Sequence, residues 1–333
     1  MHEIRPIEKR ELEKWDHFVE NSIEGTVFHK SFSLCHEGYE FEILALFSND
    51  EIIAGMPLTI TKRFGLKLAI NPPLTPYLGI IFGNVHGKYC TQLSFRKDVS
   101  NMFAKKVRDL APYVKYGFSY RFNDFQPFIW NGFSCLISYT YTIDLRRTLD
   151  EIVKDMDKSR RNDIKYALSK GVQISNGTSI ELIDLVTQTF MRKKQKPPYD
   201  QNTLKRYIEK YLERKKARIL VARIDDDPVA AGAIVFDCKQ AHYVLGGIDH
   251  HAQEKTCRGA ASLVQFELIK CAKNDLGLEV FDFEGSMNPD IELFFRKFGG
   301  TLTPKYTIFK RGLISSIIEK GLKARSKIKT RLP

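Results

Sequence analysis

The sequence predicts a two-domain α/β protein, and three observations support this. The chain has 333 residues, whereas a single hydrophobic core rarely grows beyond about 250–300 residues. Segments with apolar residues at helical spacing alternate along the chain with short apolar runs of strand length. A similar pair of strand-like runs occurs once in each half. Together these features predict a first domain over residues 1–140, a second over 141–311 and a basic tail over 312–333.

The repeated pair of strands is the clearest internal signal. Residues 42–58 read EILALFSNDEIIAGMPL, and residues 218–235 read RILVARIDDDPVAAGAIV. Each stretch predicts a β-hairpin with acidic turn residues, and each second strand carries an Ala-Gly pair. The match favours duplication of one α/β unit. The alternative is two unrelated hairpins, because Ala-Gly is a common pair.

The remaining elements follow from periodicity and from turn residues. Apolar residues at helical spacing predict a helix over 8–21, and three prolines in 70–82 predict an extended loop that leads into a short strand. The basic stretch 149–170 is predicted as one helix that stops at Gly171. The other predicted elements are helices over 179–190, 201–216 and 258–273, strands over 241–249, 278–283 and 305–310, and a short helix within 290–300.

Composition limits the classes of function. The formal net charge is +12, which favours anionic partners such as nucleotide phosphates, a phosphorylated carrier, RNA or an acidic membrane surface. No apolar run approaches 18 residues, and the N-terminus lacks an apolar secretory segment, so we expect a cytoplasmic protein. The six cysteines and eight histidines show no metal-ligand spacing, and no metal site is predicted.

The tail differs from the rest of the chain. Leu313, Ile314, Ile317, Ile318 and Leu322 form an apolar stripe, and six basic residues and no acidic residue follow Glu319. A basic amphipathic helix of this kind can lie on an anionic membrane surface. The alternative is a helix that docks on its own domain.

Several stretches resemble the Fem family of peptidyltransferases and its FemAB-like acyltransferase relatives, within the GNAT superfamily. They are WDHFVENSIEGTVFHKSFS (15–33), NPPLTPYLGI (71–80), SRRNDIKYALSKGVQI (159–174), HYVLGGID (242–249) and FDFEGSMNPDIELFFRKFGG (281–300). The resemblance covers nearly the whole chain. It implies an α/β (α+β) fold of tandem GNAT-like domains, each a mixed, mostly antiparallel sheet flanked by helices.

The resemblance also implies where an acyl donor would bind. GNAT enzymes hold the pyrophosphate of coenzyme A on a Q/R-x-x-G-x-G/A loop at a helix N-terminus. The aligned stretch here is 256–261, with Thr at its first position, and the predicted donor-binding residues are Arg258, Gly259 and Ala260. Backbone N–H groups and the helix dipole suit a phosphate, although glycine and alanine there also suit close packing.

The donor carbonyl in GNAT folds lies beside a splayed strand, which corresponds here to Tyr243–Gly247. Gly246 and Gly247 are therefore predicted donor-binding residues, and Tyr243 is a predicted substrate-binding residue. Fem enzymes that use aminoacyl-tRNA often carry a long helical hairpin. No such hairpin is predicted here, which favours acyl-CoA as the donor.

The strand at 278–283 and its continuation carry candidate catalytic groups. Asp282 and Glu284 alternate with phenylalanines, so both carboxylates share one face. A carboxylate buried beside a cleft can act as a general base. Glu284 is the predicted base, whereas Asp282 is expected to accept backbone hydrogen bonds; the alternative is substrate assistance with no base. Lys297 resembles a family lysine near the transition state and is a predicted charge stabiliser, or else a solvated surface lysine.

Basic residues are the predicted acceptor site. By resemblance, Arg160, Arg161 and Lys165 contact acceptor phosphates, for which guanidinium groups are well shaped. The loop RKKQKPPYD carries Lys193, Lys194, Lys196 and Tyr199 and could close over the acceptor. The alternative for each is a solvated basic face.

The predicted function is N-acyl transfer to an amine of an anionic cell-envelope or polysaccharide precursor, such as a nucleotide- or lipid-linked amino sugar. Acyl-CoA is the expected co-substrate, with no tightly bound cofactor. The first alternative is a Fem-type aminoacyltransferase that uses aminoacyl-tRNA on a peptidoglycan precursor. The second is a non-catalytic GNAT-like binding protein that the tail attaches peripherally to the inner face of an anionic membrane.

Overall fold

The computed structural model describes residues 3–63, 65–249, 258–285 and 287–310. They form two compact units. The first comprises residues 3–138 and 305–310, and the second comprises residues 139–304. Two strands, β7 (Ser134–Asp144) and β13 (Thr301–Lys310), contribute residues to both units. The predicted tail, 312–333, lies outside the described residues.

The first unit is a mixed sheet with helices packed on it. Its sheet runs in the order β1-β2-β3-β4-β6-β13, and β5 pairs with β3. Among the described strands of this unit, only β4 and β6 pair in parallel. The elements are β1 (Glu3–Pro6), α1 (Leu12–Asn21), α2 (Ser31–Leu34), β2 (Glu40–Ser48), β3 (Glu51–Arg63), β4 (Leu66–Ile70), β5 (Ile81–Phe82), α3 (Tyr89–Leu110), β6 (Tyr113–Gly117) and α4 (Gln126–Trp130).

The second unit has a sheet of six strands in the order β7-β12-β11-β10-β9-β8. Within the described part of this unit, only β11 and β12 pair in parallel. The further elements are α5 (Leu149–Asp155), α6 (Lys158–Ser169), β8 (Gln173–Asn176), α7 (Ser179–Arg192), α8 (Gln201–Leu212), β9 (Ala217–Ile224), β10 (Asp227–Phe236), β11 (Gln240–Ile248), α9 (Ala260–Lys270), β12 (Val280–Asp282) and α10 (Pro289–Arg296). The predicted fold class is confirmed: each unit is a mixed, mostly antiparallel sheet flanked by helices.

The two predicted hairpins are present as β2–β3 and β9–β10. In both, the glycine of the Ala-Gly pair is in close contact with a helix side chain. A Cβ on Gly55 would lie 2.3 Å from the ring of Trp15 in α1. A Cβ on Gly232 would lie 2.9 Å from Leu268 in α9. In each hairpin, therefore, glycine in the second strand lets a helix side chain pack directly on the sheet.

The prediction of one helix over 149–170 is wrong, because α5 and α6 are separate. The Asp157 side chain accepts a hydrogen bond from Ser159 N and begins α6. Arg161 donates to the carbonyl oxygens of Val153, Lys154 and Met156, which end α5. These two capping interactions satisfy backbone groups that a continuous helix would pair internally.

The predicted helix over 258–273 is shorter than expected. Helix α9 spans Ala260–Lys270, and a π-helical turn follows over Cys271–Asp275. None of the helices in the described ranges combines the length and hydrophobicity needed to cross a membrane.

Candidate active site

Strand β11 separates from β12 partway along its length. The parallel pairing with β12 ends at His242, whereas β11 continues to Ile248. A β-bulge at Val244 bends β11 here, since Tyr243 and Leu245 pair with consecutive residues of β10. Among the described strands, none takes up this edge of β11 beyond His242. The edge is therefore open to a ligand.

A cavity of about 430 Å³ lies along this open edge, within the second unit. Residues Tyr243 to Ile248 of β11, which include the predicted donor strand, form one wall. Its volume falls in the range of small-molecule sites. The other aromatic lining residues are Phe283, Phe294 and Phe295, and the charged lining residues are Arg192, Lys193, Glu284 and Asp290.

Close packing leaves no room for a Cβ at either glycine of β11, Gly246 or Gly247. A Cβ on Gly247 would lie 2.3 Å from the backbone of Leu185 and Val186 in α7. A Cβ on Gly246 would lie 1.7 Å from the hydroxyl of Tyr243. The Tyr243 side chain thus lies directly over the backbone of Gly246. Burial raises the pKa of its phenol, so the hydroxyl remains a hydrogen-bond donor near neutral pH.

Three ionisable side chains meet beside the cavity. Nδ1 of His242 lies 2.6 Å from Oε1 of Glu284 and 3.3 Å from Oδ2 of Asp282. Thr140 of β7 donates its hydroxyl to Oδ1 of Asp282 at 2.6 Å. The side chains of Thr140, His242 and Asp282 are fully buried. Glu284, at 13% side-chain exposure, is the member of the cluster that reaches the cavity.

The two carboxylates hold the imidazole in its charged form. Burial by itself lowers the pKa of His242, because it removes water from the cation. Hydrogen bonds and negative charge from Asp282 and Glu284 outweigh this effect and raise the pKa to about 10. His242 is therefore protonated at neutral pH.

The same three residues are a candidate metal-binding group, since their ligand atoms lie within 4.8 Å of one another. The separation of 2.6 Å between Nδ1 and Oε1 is the length of a charge-assisted hydrogen bond. A shared proton accounts for this contact, and a metal ion is not required to hold the cluster together.

A tight turn after β12 brings Glu284 to His242. Glu284 adopts φ 58° and Gly285 adopts φ 67°. Left-handed backbone is unusual for a residue with a side chain, and such residues concentrate at functional sites. Asp282 fixes the turn, because Oδ1 accepts a hydrogen bond from Glu284 N at 2.9 Å. A Cβ on Gly285 would lie 2.0 Å from Tyr139 O, so only glycine fits.

Asp282 therefore accepts a backbone hydrogen bond, as predicted, but it also contacts His242. The local sequence does not select His242, which lies within HYVLGGID. The register between β11 and β12 is the signal that identifies it, because His242 is directly opposite Asp282 in the parallel pair. That register depends on contacts between distant segments.

The predicted phosphate loop is partly described. Arg258 is exposed, and its Nε lies 3.2 Å from Oδ1 of Asp163 in α6. Gly259 begins α9 with φ 86°, and a Cβ there would lie 2.1 Å from Asp163 O. Ala260 is fully buried. Close packing thus explains Gly259 and Ala260, whereas Arg258 is accessible to a ligand.

Arg160 and Arg161 have protein partners. The guanidinium of Arg160 lies over the rings of Phe294 and Phe298 at 4.2 and 5.0 Å and donates to Ser262. Only 7% of Arg160 is exposed. Arg161, as described above, binds carbonyl oxygens at the end of α5. Arg160 and Arg161, which are predicted to contact acceptor phosphates, thus both have structural partners within the second unit.

The other predicted substrate-binding residues, Lys165, Lys196 and Tyr199, and the predicted charge stabiliser Lys297 do not line the cavity. Lys165 and Lys196 are exposed, and Tyr199 is partly buried. Lys297 donates to the hydroxyl of Ser159 in α6 at 3.0 Å. None of these four is among the residues that line the cavity in the described part of the chain. Arg192 and Lys193 are the cations that do line it.

Comparison with known proteins agrees with this architecture. Residues 158–289 match the family model of the acetyltransferase (GNAT) domain. This range contains β11, β12 and Glu284, and it ends at the start of α10. No curated protein matches the chain in sequence.

Solved structures show the same fold over nearly the whole chain. FemX matches with a TM-score of 0.68 at 13% identity and covers 91% of this chain and 96% of its own. The C-terminal domain of a putative lysylphosphatidylglycerol synthetase from Agrobacterium fabrum matches at 0.57 and 11% identity, covering 92% and 94%. A tandem GNAT protein from the clavulanic acid biosynthesis pathway matches at 0.54 and 8% identity, covering 93% and 98%. The family match and this fold confirm the prediction of a GNAT-type acyltransferase: residues 158–289 are a GNAT acetyltransferase domain, and the chain as a whole has a FemX-like fold.

Proposed function

We propose that this protein transfers an acyl group from acyl-CoA to an amine of an anionic cell-envelope or polysaccharide precursor. The observation that carries the proposal is the cavity along the open edge of β11. Its wall offers backbone groups beyond the last pairing with β12. Such groups can hydrogen-bond a thioester carbonyl and the oxyanion that forms from it.

The lining of the cavity suits both halves of this reaction. Phe283, Phe294 and Phe295 offer an apolar surface for an acyl chain. Arg192 and Lys193, at the C-terminal end of α7, offer positive charge for an anionic acceptor. Glu284 offers a carboxylate toward its amine. The net charge of +12 favours an anionic substrate as well.

Calorimetry with acyl-CoA of increasing chain length tests the choice of donor. We expect acetyl-CoA or a longer homologue to bind the full chain. Arg258→Ala should weaken this binding about tenfold, because one exposed guanidinium–phosphate contact is worth about 1–2 kcal/mol. Arg146→Ala is the matched control, since Arg146 is an exposed arginine that pairs with Asp144 and does not line the cavity. Absence of heat with every acyl-CoA would eliminate this donor.

A second candidate is aminoacyl transfer from charged tRNA. The likeness in fold to FemX and to the putative lysylphosphatidylglycerol synthetase favours it. The helices of the second unit, which span 7 to 14 residues in the described ranges, provide no long helical hairpin for tRNA. This candidate predicts tRNA binding whose affinity falls steeply with salt concentration. Acyl-CoA binding without tRNA binding would exclude it.

A further inference from the structure

We propose that the first unit binds a neutral glycan, built from glucose-type pyranose rings with equatorial hydroxyl groups, in an open groove between helices α3 and α4. This inference is independent of the proposed function, because the groove shares no lining residue with the cavity along β11. The ligand would be held by stacking on aromatic rings and by hydrogen bonds to its hydroxyl groups.

The groove has a volume of about 510 Å³, and all the residues that line it belong to the first unit. Helix α3 contributes Tyr89, Leu93 and Lys97, which share one face because they are four residues apart. None of the buried residues of α3 precedes Val99. The N-terminal part of this long helix therefore forms a wall of the groove and adds little to the core.

Aromatic side chains are exposed at the groove. Tyr89 is 77% exposed, and Trp130 at the end of α4 is 65% exposed. Nζ of Lys97 lies 5.4 Å from the centre of the Trp130 ring, so this ring lies beside the lining residue Lys97. Phe125 and Tyr306 line the same groove and pack with their ring centroids 4.8 Å apart. Exposed aromatic rings gathered at one groove are typical of a binding surface.

These rings suit the apolar faces of a sugar. A pyranose ring with equatorial hydroxyl groups presents C–H groups on both faces, and its hydroxyl groups point outward around the rim. The C–H groups carry partial positive charge, so they are attracted to the electron-rich face of an aromatic ring. A sugar can therefore stack on Tyr89 or Trp130 while its hydroxyl groups reach the polar side chains beside them.

The polar side chains of the groove offer donors and acceptors together. The Lys97 ammonium donates to Oδ2 of Asp124 at 2.7 Å and to the side-chain oxygen of Gln126. Oδ1 of Asp124 accepts a hydrogen bond from Gln126 N at 3.2 Å. Asn123 and Gln126 are exposed, and each amide group has donors and an acceptor. A sugar hydroxyl also donates and accepts, so this mixed set fits a polyol.

Charge complementarity favours a neutral ligand over an anion. Lys97 and Asp124 form an ion pair in which the side chains are 25% and 21% exposed. Their charges cancel within the groove. A phosphate would have to displace Asp124 from Lys97, whereas a neutral sugar leaves the ion pair intact and uses its remaining hydrogen-bonding capacity.

Tryptophan fluorescence of the full chain tests the proposal, because the chain has only two tryptophans. Trp15 is fully buried and Trp130 is exposed, so quenching by acrylamide reports on Trp130. The probes are cellohexaose and chitohexaose, which are neutral chains of glucose and of N-acetylglucosamine. We expect a saturating probe to reduce quenching at least about twofold and to shift emission to shorter wavelength, because a stacked ring excludes water and quencher. Trp130→Phe should abolish both responses.

Variants at exposed positions test the geometry without threatening the fold. We expect Tyr89→Ala to weaken hexasaccharide binding about five- to tenfold, because it removes a stacking ring. Ile129→Ala, at a lining residue that is 54% exposed, should weaken binding about twofold. Ile23→Ala is the matched control, because Ile23 is 61% exposed in the same unit and does not line the groove. Its affinity should equal that of the wild type.

Four results would overturn the proposal. The first is unchanged quenching of Trp130 with both hexasaccharides at about 10 mM, a concentration that detects even weak binding. The second is equal affinity in Tyr89→Ala and Ile23→Ala. The third is protection of Trp130 by inorganic phosphate and not by the sugars, which would make the groove an anion site. The fourth is protection that rises with protein concentration in the absence of sugar, which would make the aromatic surface an interface between copies of the chain.

Discussion

Arg160 is a largely buried cation inside an aromatic cluster, and it forms an ion pair with Asp163. Its guanidinium contacts two phenylalanine rings and Ser262, and Asp163 lies 3.5 Å away. Burial lowers the pKa of the guanidinium, although the pKa of arginine is so high that the group remains charged. The contacts indicate that Arg160 joins α6, α9 and α10 rather than binding substrate.

This role predicts the effect of Arg160→Ala on stability. We expect the free energy of unfolding to fall by about 2–4 kcal/mol, because the change removes buried packing, two cation–π contacts and a hydrogen bond. Denaturation by urea measures this change. Lys165→Ala on the exposed face of α6 is the control and should change stability by less than about 0.5 kcal/mol. Wild-type stability in Arg160→Ala, with loss of acceptor binding, would restore the substrate-binding hypothesis.

His242 predicts a pH dependence of stability. Its pKa is about 10 in the folded chain and about 6.5 in the unfolded chain. Because the folded pKa is raised, the stabilisation is complete below pH about 6.5 and is lost as pH rises through about 10. Between these limits the folded chain binds one more proton than the unfolded chain at this site. Stability therefore falls by up to about 1.4 kcal/mol per pH unit.

Unfolding by guanidinium chloride at pH 7, 8 and 9 measures this slope in the wild-type chain and in His242→Gln. All other titrating groups are common to both chains, so the difference between the two curves isolates His242. We expect the variant to have the flatter curve. His17→Gln, at an exposed site on α1, should follow the wild-type curve. Parallel curves for wild type and His242→Gln would mean that His242 is neutral in the folded chain.

At the scale of elements, the start of α9 is set by contact with α6. Gly259 has φ 86°, and its missing Cβ leaves room for the backbone oxygen of Asp163. We expect Gly259→Ala to lower the free energy of unfolding by about 2 kcal/mol or more, through both backbone strain and this clash. Thermal unfolding at one fixed pH measures it.

Gly277, beyond the other end of α9, gives the matched control. It has φ 63° but no atom within 4 Å of an added Cβ. Gly277→Ala therefore carries the backbone strain without the clash and should cost about 1 kcal/mol. Equal losses in the two variants would show that α6 and α9 do not pack closely at Gly259.

The elements differ in how far sequence alone predicts them. The hairpins β2–β3 and β9–β10 are predictable, because each combines strand-length apolar runs with acidic turn residues. Helix α3, Tyr89–Leu110, is not predicted from the sequence. Its buried residues lie only between Val99 and Val107, so the segment with helical apolar periodicity is short. The break between α5 and α6 depends on the side chain of Arg161, whose target carbonyls are known only from the folded chain.

The same distinction applies to the candidate site. The resemblance to the family points to Glu284 and to the strand Tyr243–Gly247, but strand alternation does not place Glu284, which lies in a left-handed turn after β12. His242 cannot be identified as a site residue from the sequence, because its position opposite Asp282 depends on the parallel register of β11 and β12. Arg160 and Arg161 have the composition of a phosphate site, yet their partners are phenylalanine rings and carbonyl oxygens. The sequence thus identifies side chains that could bind a substrate. Packing in the folded chain determines which of these side chains already have protein partners.

At the scale of the whole molecule, charge predicts association with anionic surfaces. The chain carries 52 basic and 40 acidic residues, and six of the basic residues follow Glu319 in the tail without an acidic one. Basic residues near an anionic membrane contribute about 1 kcal/mol each, and an apolar stripe adds to this attraction. We therefore expect the full chain to sediment with vesicles that contain phosphatidylglycerol, and to be released by high salt.

Deletion of residues 313–333 assigns the attraction to the tail or to the folded units. We expect the deleted chain to lose most of its vesicle binding and to keep its affinity for acyl-CoA, because the cavity residues all precede residue 296. A chain with Lys320, Lys323, Arg325, Lys327, Lys329 and Arg331 changed to Gln is the control for charge. If that chain binds vesicles as the wild type does, the apolar stripe provides the affinity. If the deleted chain still sediments fully, the membrane contact belongs to the folded units and the tail is not an anchor.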